Sequence, residues 1–178
     1  MKITLHAGHN PSGKIACGAS DYIDESNESR ALVKLMKQHK PKDLTITDCT
    51  VNNGTSQNDV LRKICAKCNA VKRDLDVSIH FNAATHSPKD GKVKGCEVWL
   101  YDGSDACLTT AYRVLKEMRK LGFTSRGVKR SKSLYFLKHT SKPAMLIEVC
   151  FVDDRDDATL YVKNRDKIAK ALVNAISG

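Results

Sequence analysis

Two histidines and a few glutamates are the residues of this chain that point to chemistry. Glu148 stands in Ala144-Met-Leu-Ile-Glu-Val-Cys-Phe-Val152, with apolar neighbours on both sides. A carboxylate buried in such a run loses several kcal/mol of solvation unless a partner or a metal stabilises it. An ion pair with one of the many basic residues, or a strand that emerges into solvent, would also account for it. His9 and His80 each follow a short apolar stretch, and Glu25 and Glu28 lie close after His9. Two imidazoles and one carboxylate with a fourth position left to water form the ligand set of hydrolytic zinc sites. Read singly, each histidine is an ordinary hydrogen-bonded or surface residue, and no compact His-Glu-x-x-His word occurs.

Such groups meet only if strands end at them. Ile3-Thr4-Leu5 reads as a short strand running into the Gly- and Pro-punctuated loop Ala7 to Gly13, which puts His9 just past a strand end. In Leu75-Asp-Val-Ser-Ile-His-Phe-Asn82, Leu75, Val77, Ile79 and Phe81 alternate with Asp76, Ser78, His80 and Asn82, so His80 lies near the carboxyl end of a period-two strand. Ala31, Leu32, Leu35 and Met36 recur at helical spacing over about 24–38, with Asp24, Glu25 and Glu28 in the first turns. Leu44 to Thr47 reads as a strand. After the turn at Asn52 to Thr55, Val60, Leu61, Ile64, Ala66 and Val71 predict a helix to about Lys72. Cys96 to Tyr101 is a further strand, about 105–121 a helix, and a basic turn at Lys129 to Lys132 precedes Leu134-Tyr-Phe-Leu137. Ala144 to Val152 is the most buried-looking strand, and one or two short helices fill Arg155 to Ile176. Alternating strands and helices predict an α/β fold: one domain with a twisted, mostly parallel or mixed sheet of about six strands flanked by helices, and function at the carboxyl ends of the strands.

Composition agrees with one globular domain. At 178 residues, 41% hydrophobic and 28% charged, a chain hides roughly 70% of its unfolded surface in a single core. No apolar run approaches a membrane span. Lys and Arg number 30 against 20 Asp and Glu, a net charge of +10, which favours polyanions or anionic surfaces. The basic residues come with no helix-turn-helix, RNA-binding aromatic motif or zinc finger, so nucleic acid is not an expected partner. The 7 cysteines are scattered and odd in number, which predicts reduced thiols. Cys65 and Cys68 share one face of the predicted helix and read as small packing residues rather than a zinc or redox motif. His39, His86 and His139 have no partner word around them and read as surface residues. Met1 to His9 lacks the apolar segment and cleavage site of a signal peptide, so synthesis in the cytoplasm is expected.

The local words are more specific than the spacings. Ala7-Gly8-His9, Glu25-x-x-x-Ser29, Ser78-Ile-His-Phe-Asn-Ala83, Arg126-Gly-Val-Lys129, Leu134-Tyr-Phe-Leu137 and Lys142-Pro-Ala-Met-Leu-Ile-Glu-Val-Cys-Phe151 occur in this order. Together, over nearly the whole chain, they resemble the catalytic domain of the zinc-dependent N-acetylmuramoyl-L-alanine amidases of type 3, which includes phage endolysins and bacterial cell-wall amidases. The resemblance implies zinc bound by His9, Glu25 and His80, Glu148 as the catalytic acid and base, and peptidoglycan as substrate, cut between the muramoyl lactyl group and L-alanine. It implies one catalytic domain over residues 1–178, with no wall-binding domain in this chain. A phage endolysin reaching the wall after release fits the missing signal peptide; a bacterial autolysin exported by another route, or a zinc peptidase acting on the stem peptide, is the alternative. Teichoic acids and stem carboxylates are then the anionic partners that the basic surface would meet. Two positions depart from the family's pattern. His6 stands where an aspartate is often seen three residues before the first zinc histidine, and Ser29 where an asparagine is usual four residues after the glutamate. His6 is read as a plain strand residue in preference to an orienting group or an alternative ligand, because Leu5 and His6 must face opposite sides.

Overall fold

A computed structural model describes all residues, 1–178. The elements run β1 (Lys2–Ala7), α1 (Glu25–His39), β2 (Thr45–Asp48), α2 (Gln57–Asn69), β3 (Leu75–Asn82), β4 (Cys96–Tyr101), α3 (Leu108–Lys120), β5 (Ser125–Ser131), α4 (Tyr135–His139), β6 (Ala144–Phe151) and α5 (Arg155–Ser177). They form a single α/β domain on one six-stranded sheet of order β2-β1-β3-β6-β4-β5. Strands β2, β1, β3 and β6 are mutually parallel, β4 is antiparallel to β6, and β5 is parallel to β4. The carboxyl ends of β1, β3 and β6 therefore meet the amino ends of β4 and β5 along one edge. Parallel neighbours need crossover connections, and α1 and α2 supply them between β1, β2 and β3.

Both faces of the sheet are covered. On one, Ile3, Leu5, Val77, Ile79, Val98 and Ile147 pack with apolar residues of α1, α3 and α5 in a cluster of 33 buried residues. On the other, Ala144 and Leu146 join Val60, Ile64, Cys65, Cys68, Phe136 and Leu137 from α2 and α4 in a cluster of 10. The alternation of β3 thus separates two buried faces rather than a buried and a wet one, as is usual for parallel sheets. Asp76 and Ser78, on the polar side of that pattern, are completely buried. Asp76 answers its burial by pairing with Arg73, whose Nη2 lies 2.8 Å from its carboxylate, and by accepting from Thr4. Cys65 and Cys68 pack in the smaller cluster as expected, and all seven thiols are free.

Helix starts follow local chemistry. Asp24 caps α1 by accepting from the Asn27 amide, Ser56 caps α2 through Asp59, and Asp154 caps α5 through Asp157. Two expectations need correction. Arg155 to Ile176 is not one or two short helices but part of a single helix of 23 residues. Its polar middle, which interrupts the apolar pattern, is fastened to α1 by Arg165 on Glu28 and Asp166 on His39. The basic turn at Lys129 to Lys132 mostly belongs to a strand, β5, whose sequence SRGVKRS carries one apolar residue. It is an edge strand, where charge discourages pairing with other chains. Leu134 to Leu137 leads into the short helix α4. No helix is long and apolar enough to cross a membrane.

Candidate metal centre

Three elements deliver side chains to one point at the sheet edge. His9 comes from the loop after β1, His80 from the end of β3, and Glu25 from the first residue of α1. His9 Nε2 lies 3.2 Å and His80 Nδ1 3.0 Å from the same oxygen, Glu25 Oε1. The three ligand atoms all fall within 4.8 Å of one another. Ligands about 2.0–2.1 Å from a tetrahedral ion stand roughly 3.3 Å apart, and the two distances to Glu25 Oε1 match that spacing.

Glu25 is held rigidly. Oε1 also accepts from the Phe81 amide at 3.1 Å, and Oε2 from the Ala19 amide at 3.0 Å. Burial opposes its charge, but hydrogen bonds from His80 and His9 outweigh that and keep the carboxyl well below the usual carboxylate range. Its place at the amino end of α1 favours the anion as well. Glycines make room for the cluster. Gly18, at φ +81°, passes so close that a Cβ there would lie 2.4 Å from Glu25 Oε2. A Cβ on Gly8 would lie 1.9 Å from His80 Nε2. Gly8→Ala is therefore expected to push the His80 ring off Glu25 and, if the cluster holds a metal ion, to weaken its binding by at least the about 10–100-fold seen when groups supporting a ligand are lost; competition with a chromophoric chelator measures it.

Glu148 lies opposite His80 in the β3–β6 register and opposite Glu97 in the β6–β4 register, so all three side chains share one face. No basic residue pairs with it, and its Oε2 is buried without a hydrogen-bond partner. The ion-pair explanation for this glutamate thus falls away. Burial, then the negative charges of Glu25 and Glu97, push its carboxyl up to about 8. Glu97, by contrast, is fully satisfied: Oε1 accepts from Asn82 and Trp99, Oε2 from Arg126.

Glu28, the other glutamate of the first turns, points elsewhere and pairs with Arg165 at 2.8 Å. His6 is a buried strand residue whose ring meets Phe136 edge-on at 4.7 Å. Burial lowers its pKa to about 3, and Nε2 has no partner. Ser29 is buried and donates only to the Ser26 carbonyl. The rings of His39 and His86 lie against the carboxylates of Asp166 and Asp21, and His139 stacks on Tyr135. Gly8 stands in the Ala7-Gly8-His9 word, but nothing in the sequence singles out Gly18, and only the alternation of Cys96 to Leu100, with Glu97 on the Trp99 side, hints at Glu97.

The sequence pattern of the N-acetylmuramoyl-L-alanine amidase family, Amidase_3, matches residues 3–178. The chain belongs to this amidase family. An uncharacterized protein of Clostridium perfringens strain 13 is 34% identical over 185 residues, covering 99% of the amidase-family chain and 52% of the relative. The endolysin of Bacillus phage SPP1 is 31% identical over 172 residues, 91% of this chain and 59% of that protein. Among solved structures, the catalytic domain of the CD27L endolysin targeting Clostridia difficile superposes with a TM-score of 0.86 at 26% identity, covering 99% of this chain and 97% of that one. The chain spans about half the length of the curated relatives it matches first.

Proposed function

We propose that this chain is a zinc-dependent N-acetylmuramoyl-L-alanine amidase that cuts the amide between the lactyl group of peptidoglycan and L-alanine, acting as an endolysin on the wall after its release. The observation that carries the reading is the row His80, Glu148 at the sheet edge: a histidine facing Glu25 and His9, beside a glutamate with a buried, unpartnered oxygen. Membership of the amidase family and similarity to a phage endolysin support the substrate and the role.

His9, Glu25 and His80 would hold the zinc, through two ring nitrogens and one carboxylate oxygen. Bound there, zinc supplies Lewis acidity, polarising a carbonyl and bringing the pKa of water toward about 7. The protein contributes the rest. The Phe81 and Ala19 amides fix Glu25 so that its oxygen need not reorganise. Glu148, with a carboxyl raised into the neutral range, accepts a proton from the attacking water and returns it to the leaving amine of L-alanine. Glu97, held by Asn82, Trp99 and Arg126, stands beside it in the same row.

Purified walls incubated with the protein are expected to release new amino termini at L-alanine, with turnover lost in chelator and restored by zinc at one ion per chain. Release of amino termini from other stem residues would make the protein a peptidase, and undiminished turnover by metal-free protein would remove zinc from the reaction.

A further inference from the structure

The row His80, Glu148, Glu97 does not stop at Glu97. Strand β5 pairs with β4 through Cys96 with Ser125 and Val98 with Val128, so Arg126 and Gly127 together face Glu97. Gly127, at φ +84°, takes up the extra residue. The bulge lets Arg126 face Glu97 while Val128 returns to the apolar side next to Val98, which is the way bulges re-aim side chains beside active sites.

Arg126 is held by one edge only. Its Nε donates to Glu97 Oε2 at 2.9 Å, and its guanidinium lies 4.9 Å from the centre of the Phe151 ring. No protein acceptor engages either terminal nitrogen, and the side chain is 40% exposed beside a Glu97 that is 5% exposed. The neighbouring cation, Lys94, is otherwise occupied: it donates to the Thr85 carbonyl at 2.7 Å and lies 3.9 Å from Asp154. A guanidinium fixed at Nε with both Nη groups open presents the fork that binds carboxylates bidentately.

We propose that Arg126 is a specificity-determining residue that binds a carboxylate of the stem peptide within about two residues of the scissile amide. The inference rests on the amidase reading. Arg126 lies two strand spacings from Glu148, roughly 10 Å. Two extended peptide residues span about 7 Å, and the arginine side chain covers the remainder. In a muramoyl peptide the lactyl carboxyl is consumed in the amide that is cut, so the anionic groups left at this distance are those of the stem. Walls whose second stem residue is amidated lack that charge.

The test compares two synthetic muramoyl peptides that differ only in having a free carboxylate or a carboxamide on the second stem residue, with zinc-loaded protein. The wild type is expected to favour the carboxylate in kcat/KM by about 10- to 100-fold, the size of a charge-assisted bidentate contact. R126Q is expected to bring the ratio to about one, and R126K, which still neutralises Glu97, to an intermediate value. Direct titration with the released peptides should show the same order in Kd. No preference in the wild type overturns the proposal, and so does an equal loss on both substrates in R126Q, which would leave Arg126 as a counter-ion for Glu97 alone. If R126Q does not fold, a wild-type ratio in R126K overturns it and a reduced ratio supports it. Cleavage of neither compound overturns the amidase reading, and this proposal with it.

Discussion

Glu148→Gln is expected to lower wall turnover by about 10²–10⁴-fold, the range attached to a positioned acid or base, while one zinc per chain is retained. Glutamine keeps the shape of the side chain and cannot carry the proton. The three donors of the candidate metal centre do not include Glu148, so its replacement leaves them in place. The same variant makes a second, opposite prediction for the metal-free protein. Burial and two neighbouring carboxylates raise the Glu148 pKa from 4.5 to about 8, so the folded state resists its ionisation. Below pH 4.5 the group is protonated in both folded and unfolded chains and contributes no penalty. As pH rises toward 8 the unfolded chain gives up the proton more readily, and the fold loses stability relative to a neutral side chain. Metal-free E148Q is therefore expected to match the wild type in acid and to exceed its unfolding temperature at pH 7–8. A site that costs stability in order to act is a common trade. Loss of zinc in E148Q would reassign Glu148 to the ligand set, and unchanged turnover would remove it from proton transfer.

What could be read from the sequence followed from residues whose surroundings are local. His80 and Glu148 are legible because each sits in a strand whose pattern is strong, and the parallel pairing that aligns them is what such strands do. The helix cap at Asp24 and the acidic first turn fix where α1 begins, and so where Glu25 stands. The misreadings come where long-range contacts replace local pattern. Strand β5 has almost no apolar signal and exists because β4 offers it an edge. The middle of α5 looks like a break, yet Glu28 and His39 on α1 supply partners for its Arg165 and Asp166. Glu97 illustrates the same limit at the site: nothing near it in the chain announces Arg126, which is 29 positions away.

Glu25 and Glu28 provide the sharpest separation of site from scaffold, because they are three residues apart on one helix and are chemically identical. Residues at that spacing are neighbours on a helix surface, and the sequence alone allows either to face the histidines. Small differences in direction decide. Glu25 is the first residue of α1, 5% exposed, with His9, His80 and two backbone amides on its oxygens. Glu28 lies one turn on and is turned toward α5, where Arg165 holds it. Glu25→Ala removes one of the three proposed ligands and is expected to weaken zinc by more than the about 10–100-fold that follows from disturbing a supporting group, with turnover falling in step. Glu28→Ala is expected to bind zinc as the wild type does and to cost about 1 kcal/mol of stability or less, since Arg165 is 34% exposed and its pair is partly screened by solvent. Zinc titration and chemical denaturation of both variants separate the two effects: the first variant should move mainly in metal affinity, the second mainly in stability. The reverse order of zinc affinities would mean that the metal sits toward α5, and that the cluster of His9, Glu25 and His80 is a hydrogen-bonded triad without an ion.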